Sequence, residues 1–334
     1  MRQYCLAAHA MKILCLTVFP DEFLALQRAI HHPWQETLTP CGTPYLATNY
    51  NGLQLALVHL SAKSLANPQR LISLGDHLKP QLIVMVGICR GNPAKVVLGD
   101  IIVAQKIFTL PTANRTSDSA YILAQPWQGR LLGQSSAWQQ QIQTPRPKSS
   151  LHQRGWLLHT LYDHELKPDH CPPPQAHPER RHHCPDWPLI FEQLVTEKLL
   201  TADPVRLTAL AIDLIRDNHA LHLATGFPHD PAVPSVHLGA IADVTHTNFQ
   251  TEEDPFATQT HLFGLDIGSA AATTLATAID CPAIVIKAVQ SYGNPQPPLP
   301  FRAYATEAAA QFFLGFLRHL NTPNSPGLFS LPVS

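Results

Sequence analysis

Three runs of apolar residues, MKILCLTVF (11–19), LQLALVHL (53–60) and QLIVMVGI (81–88), and a fourth, IVIKAV (284–289), limit what this chain can fold into. They are too continuously apolar for strands with one wet face, and strands buried on both faces belong to sheets covered by helices on either side. Helical spacing follows or separates them. DEFLALQRAI (21–30) places apolar residues at Phe23, Leu24, Leu26 and Ile30, with Asp21 and Glu22 in the first turn, where carboxylates suit the helix dipole. NPQRLISLGDHL (67–78) reads as a helix stopping before Pro80, and RAYATEAAAQFFLGFLRHL (302–320) as a closing amphipathic helix. Strands also read at 234–244 (PSVHLGAIADV) and before the Ala-rich helix that starts near Ser269. The alternation predicts an α/β fold, a mostly parallel central sheet between two helical layers.

From about 111 to 188 the pattern gives way to polar, Pro-rich sequence such as DHCPPPQAHPERRHHCPDWP. Helical spacing returns at 154–166, 187–200 and 207–218. The expected organisation is a tail at 1–10, one domain over 11–320 interrupted by a helical, Pro/His-rich insertion at 145–232, and a tail at 321–334. Seven scattered cysteines with no tight framework suit reduced thiols in a cytoplasmic protein. His164, His170, Cys171, His177, His182, His183 and Cys184 crowd the insertion, but no CxxC pair brackets them, so an exposed His-rich loop is expected and no metal site. A net charge of -1 gives no basic footprint for nucleic acid. No apolar stretch approaches the ~20 residues of a membrane-spanning helix.

MVGICRG…LGDIIVA (85–104), VHLGAIADV (236–244) and GLDIGSAAA…VIKAVQSYGN (264–294), in this order, resemble the nucleoside phosphorylase and nucleosidase superfamily, most of all its effector-type nucleosidase domains. The resemblance covers about residues 11–320. It implies a three-layer α/β/α fold and cleavage of the N-glycosidic bond of a purine nucleoside or nucleotide, by water or by phosphate. It also implies no cofactor and a homo-oligomer, since relatives commonly assemble as dimers or larger rings. The alternative is a degenerate relative that binds a nucleoside-like ligand or a protein partner without turnover.

The resemblance also assigns roles. Glu22 falls where hydrolases of the family place the glutamate that activates water. The aspartate that serves the purine in the family loop is replaced by Ser291, whose hydroxyl donates a hydrogen bond but does not protonate a nitrogen at neutral pH. The glutamate that holds the ribose hydroxyls falls on Gly268, after Ile267; a glycine there leaves room for a bulkier group. Asp266 reads as the N-cap of the helix near Ser269. Asp243 is the nearest spare carboxylate to stand in for the lost acid. Gly87, Arg90 and Gly91 belong to a Gly-rich loop whose N–H groups would face a ribose oxygen or phosphate, with Arg90 either clamping an anion or pointing to the surface. His237 would line the base side or pair structurally with backbone, and Asn294 follows in the 290–294 loop.

Overall fold

The computed structural model describes residues 10–40, 42–61, 65, 67–109, 120–122, 125–221, 230–244, 255–292 and 301–320. Asn294 and the 321–334 tail lie outside these residues, as do residues 1–9. The chain divides into two compact units, Met1–Arg146 with Val233–Ser334, and Pro147–Ala232.

In chain order the larger unit begins with β1 (Lys12–Thr17), α1 (Pro20–Ala29), β2 (Gln35–Leu38), β3 (Pro44–Tyr50), β4 (Leu53–His59), α2 (Pro68–Leu78), β5 (Leu82–Gly91), β6 (Ile101–Thr109), β7 (Ala120–Ile122) and α3 (Gln125–Leu132). The smaller unit holds α4 (Ser150–Leu166), α5 (Arg180–His183), α6 (Trp187–Thr196), the hairpin β8 (Leu200–Ala202) and β9 (Val205–Leu207), and α7 (Ala209–Leu221). The larger unit resumes with β10 (Val236–Asp243), α8 (Pro255–Thr258), β11 (Leu262–Asp266), α9 (Ser269–Ala278), β12 (Ala283–Ser291) and α10 (Phe301–Leu320).

The large sheet runs β11-β10-β6-β12-β5-β1-β4-β3-β2, and β11 also pairs with β5. That extra pairing closes β5, β12, β6, β10 and β11 into a ring. The sheet is mixed, which corrects the expectation of a mostly parallel one. β1 is parallel to β4 and β5, and β12 to β5, but β12 is antiparallel to β6 and β11 to β5. Continuous apolar runs report burial on both faces; they carry no information on strand direction.

Alternation along the strands divides the core. Ile13, Cys15, Leu55, Val84 and Val86 pack with Leu26 of α1 and the phenylalanines of α10. Leu14, Leu16, Ile83 and Met85 pack with Leu71 and Leu74 of α2 and Leu275 of α9. A second correction concerns 87–91: GICRG is no loop but the end of β5, hydrogen-bonded to β12 and β11.

The smaller unit has its own core, in which Trp156, Leu157 and Leu161 of α4 meet Ile190 and Leu194 of α6 and Ile215 of α7. Ser149 caps α4 by accepting the His152 N–H at 3.0 Å. His183 is not a free loop residue: its ring stacks on Trp156 and lies 3.2 Å from the His152 ring nitrogen. Among the described residues no group of three His, Cys, Asp or Glu is arranged to hold a metal ion, and no helix is long and apolar enough to cross a membrane.

Candidate functional site

Glu22 enters the site from the first turn of α1, and only 2% of it is exposed. One carboxylate oxygen accepts the N–H groups of Val18 and Phe19, each at 2.8 Å, which anchors the start of the helix. The other accepts the Ile88 N–H of β5, also at 2.8 Å. Gly87 makes this approach possible: a Cβ there would lie 2.2 Å from Glu22 Oε1. Burial pushes the Glu22 pKa above the usual carboxylate range, against the opposing pull of Lys287 and the three N–H groups.

Lys287, at the middle of β12, is fully enclosed and pairs with Asp266 Oδ2 at 2.7 Å. Burial works against its ammonium, but the carboxylates of Asp266 and Glu22 outweigh it and hold the pKa above the ordinary lysine value. Asp266 Oδ2 also accepts the Ser269 hydroxyl at 2.5 Å. Its Oδ1 is buried without a hydrogen-bond partner among the described residues. Asp243 lies beside it, in register with Asp266 across the parallel β10–β11 pair. Asp243 Oδ2 accepts the Ala270 N–H of α9 at 2.6 Å. Burial, then the neighbouring Asp266, push the Asp243 pKa up to about 7.

The N-cap expectation for Asp266 is thereby corrected. The residue before α9 is Gly268, at φ 99°, and the carboxylate at this helix end comes from Asp243 on the next strand. Asp266 is turned toward Lys287 instead. Gly268 does not leave room for a bulkier group either: a Cβ would meet Val18 Cγ2 at 2.6 Å. Its glycine suits the left-handed backbone and the tight packing. Ile267, half-buried, packs against the apolar residues around it.

At the other end of the site the nearest cation is tied to backbone. β12 bulges between Val289 and Ser291, so that Ser291 pairs with Arg90. Arg90 donates through Nε to the Tyr292 carbonyl at 2.9 Å and lies over the Phe256 ring at 5.2 Å. The Tyr292 hydroxyl donates to the Val96 carbonyl at 3.2 Å and accepts the Leu98 N–H at 3.1 Å. A Cβ on Gly91 would lie 2.5 Å from Val289, so this glycine serves close packing and not an open anion cradle.

His237 stands apart. It is the second residue of β10, roughly 20 Å along the strand from Asp243 at ~3.3 Å per residue, and pairs through Nε2 with buried Asp100 Oδ2 at 2.8 Å. The structure thus brings Glu22, Gly87, Asp243 and Gly268 together around Lys287 and Asp266, places Arg90, Gly91 and Ser291 at the end of β5 and β12, and sets His237 elsewhere. Sequence reading missed the Lys287–Asp266 pair. Its one signal was a lysine inside an otherwise apolar run, since a charge so placed needs a buried partner.

No protein-family model matches the chain, and no curated protein matches it in sequence. Solved structures do. The 5′-methylthioadenosine/S-adenosylhomocysteine nucleosidase of Streptococcus pneumoniae, bound to a transition-state inhibitor, superposes with a TM-score of 0.53 at 15% identity, over 93% of this chain and 100% of that one. The S-adenosylhomocysteine nucleosidase of Streptococcus pyogenes gives 0.54 at 14% identity, over 95% and 100%. The futalosine hydrolase of Helicobacter pylori gives 0.54 at 8%, over 92% and 98%. At these identities the likeness is one of architecture: the chain has the fold of the nucleoside phosphorylase and nucleosidase superfamily.

Proposed function

We propose that this chain cleaves the N-glycosidic bond of a purine nucleoside or nucleotide by hydrolysis, on a three-layer α/β/α scaffold carrying the helical insertion at 145–232. The observation that carries the reading is Glu22: a buried carboxylate of raised pKa at a helix start, held against Gly87 beside Lys287. A carboxylate tuned upward by burial is suited to take a proton from water near neutral pH. In the reaction the water oxygen bonds to the ribosyl carbon, its proton goes to Glu22, and the bond to the base breaks as the base takes a proton from Asp243. Arg90, Ile267, Gly268 and Ser291 line the substrate side in this reading, with Arg90 the group suited to a phosphate. The active form is a cytoplasmic homo-oligomer.

A second reading, ligand binding without turnover, draws on the same residues. Both Glu22 oxygens already accept backbone N–H groups, and positions 268 and 291 carry no carboxylate. Incubation with adenosine, inosine, methylthioadenosine and ATP decides between them. Release of free base that is lost in Glu22→Gln supports hydrolysis; saturable binding with no base released supports the second reading.

A further inference from the structure

Glu22, Asp266 and Lys287 are each at most 2% exposed and Asp243 is 9% exposed. Three carboxyl groups thus share one buried ammonium. Leaving all three ionised would put uncompensated negative charge in the interior, where each unpaired ion costs several kcal/mol. The N–H groups around Glu22 and the Ala270 N–H at Asp243 soften this without cancelling it.

Asp266 shows where the deficit is felt. Its Oδ2 is satisfied twice, by Lys287 and Ser269, while its Oδ1, equally buried, has no donor among the described residues. A buried carboxylate oxygen without a donor is rare and asks for an explanation. A group able to become its donor is the Asp243 carboxyl, which residue pairing sets beside Asp266 on the adjacent strand. Asp243 Oδ2 accepts the Ala270 N–H and the Gly268 N–H also bears on this carboxyl, both from the start of α9, so a proton on Asp243 is placed on the oxygen turned away from Ala270.

We propose that Asp243 and Asp266 share one proton, with the Asp243 O–H donating to Asp266 Oδ1, and that Asp266 is the positioning residue that keeps Asp243 protonated as the proton donor of the site. The donor role rests on the hydrolase reading above; the shared proton does not. Like charges at close range cannot both ionise, so one carboxyl retains its proton to higher pH. Among the described residues the charged and titratable groups facing the pair are Lys287 on β12 and the Cys89 thiol on β5, with Glu22 on α1 beyond Lys287, along with the Gly268 and Ala270 N–H groups at the start of α9. Lys287 bonds Asp266 and not Asp243, which leaves the proton to Asp243. During cleavage that proton passes to the departing base, and Asp243 is left as a carboxylate until a solvent proton replaces it.

The test is a pH titration of wild-type protein labelled with ¹³C at the aspartate carboxyls, run beside Asp243→Asn and Asp266→Asn. One wild-type resonance is expected to titrate near neutrality, to vanish in Asp243→Asn, and to move at least tenfold in proton concentration toward acid in Asp266→Asn. A merely structural Asp266 would change stability and leave that midpoint in place. If Asp266→Asn does not fold, the wild-type and Asp243→Asn titrations decide alone. A wild type whose aspartates all titrate below pH 5 overturns the pair. Base release is then followed against pH. A wild-type kcat that falls as the resonance titrates, and a ~10² to 10⁴-fold lower kcat in Asp243→Asn, support the donor role. An Asp243→Asn kcat equal to that of wild type overturns it. No base release from wild type, with the titration intact, removes the hydrolase reading and the donor role together and leaves the shared proton standing.

Discussion

At its middle β12 carries Lys287 into a cluster of buried ionisable groups; four residues later, at Ser291, the same strand ends among side chains tied off by backbone atoms. At the first end Glu22, Asp266 and Asp243 hold charge or protons away from water. At the second, Arg90 and Tyr292 spend hydrogen bonds on the Tyr292 and Val96 carbonyls. The contrast teaches where chemistry can reside in this chain. Groups able to exchange a proton lie at the convergence of two helix starts, α1 and α9, and not in the loop where the family resemblance would place the acid.

The contrast is broken most severely at Lys287. Lys287→Met leaves Asp266 buried without its cation, and truncating one partner of a buried ion pair costs ~3–5 kcal/mol; urea unfolding should show a loss of that size. Next in size is the dependence on pH. Asp243 is an acid whose pKa is higher folded, about 7, than its ordinary 3.8. Between those values the folded state holds a proton that the unfolded state has released, so the stabilisation is complete below the lower value and is lost as pH rises to the upper one. One group accounts for a slope of about -1.4 kcal/mol per pH unit in that window. Urea midpoints from pH 5 to 7 should therefore fall, Glu22 adding in the same direction, and Asp243→Asn should flatten the curve by its own share.

Gly87→Ala sharpens the comparison on the Glu22 side. Its Cβ would overlap the carboxylate at 2.2 Å, and overpacking of this kind costs ~1–3 kcal/mol; base release, followed in the same variant, should fall with it. The smallest effect is expected at the Ser291 end. Arg90→Ala removes the hydrogen bond to the Tyr292 carbonyl and the cation–π contact with Phe256, the latter worth about 0.5–1 kcal/mol at a partly exposed site, which a thermal melt should register as a shift of a few degrees at most.

Much of the scaffold was legible because burial writes itself into composition. The apolar runs at 11–19, 53–60 and 81–88 became β1, β4 and β5, and the spacings at 21–30, 67–78 and 302–320 became α1, α2 and α10. Direction was not legible, since β6, β10 and β11 run against β5 with no change in apolar character. The β8–β9 hairpin, three residues a side, is too short to print a pattern. In the site, Glu22 was named from the family resemblance, since its place in the first turn of a helix is by itself ordinary dipole chemistry. Asp266 was misread because local rules see only the chain neighbours: an aspartate three residues before a serine looks like a cap, whereas the partner that claims it lies twenty-one residues on, at Lys287. The carboxylate that does meet the start of α9 comes from Asp243, twenty-seven residues back. Contacts made across strands leave no trace in a local window.

The ring of five strands is shut by two facing pairs, Gly264 with Gly91 and Leu265 with Arg90, and by Asn92, whose N–H and side-chain amide donate to the Phe263 and Leu262 carbonyls, each at 2.9 Å. A seam that short adjoins Asp266, the residue after Leu265, and so bears on the electrical character of the site. While it holds, the lysine and its carboxylates feel one another through a medium far less polarisable than water, and each proton gained or lost is felt by all of them. Prise it apart and water would enter, after which the same four side chains would behave as independent ions.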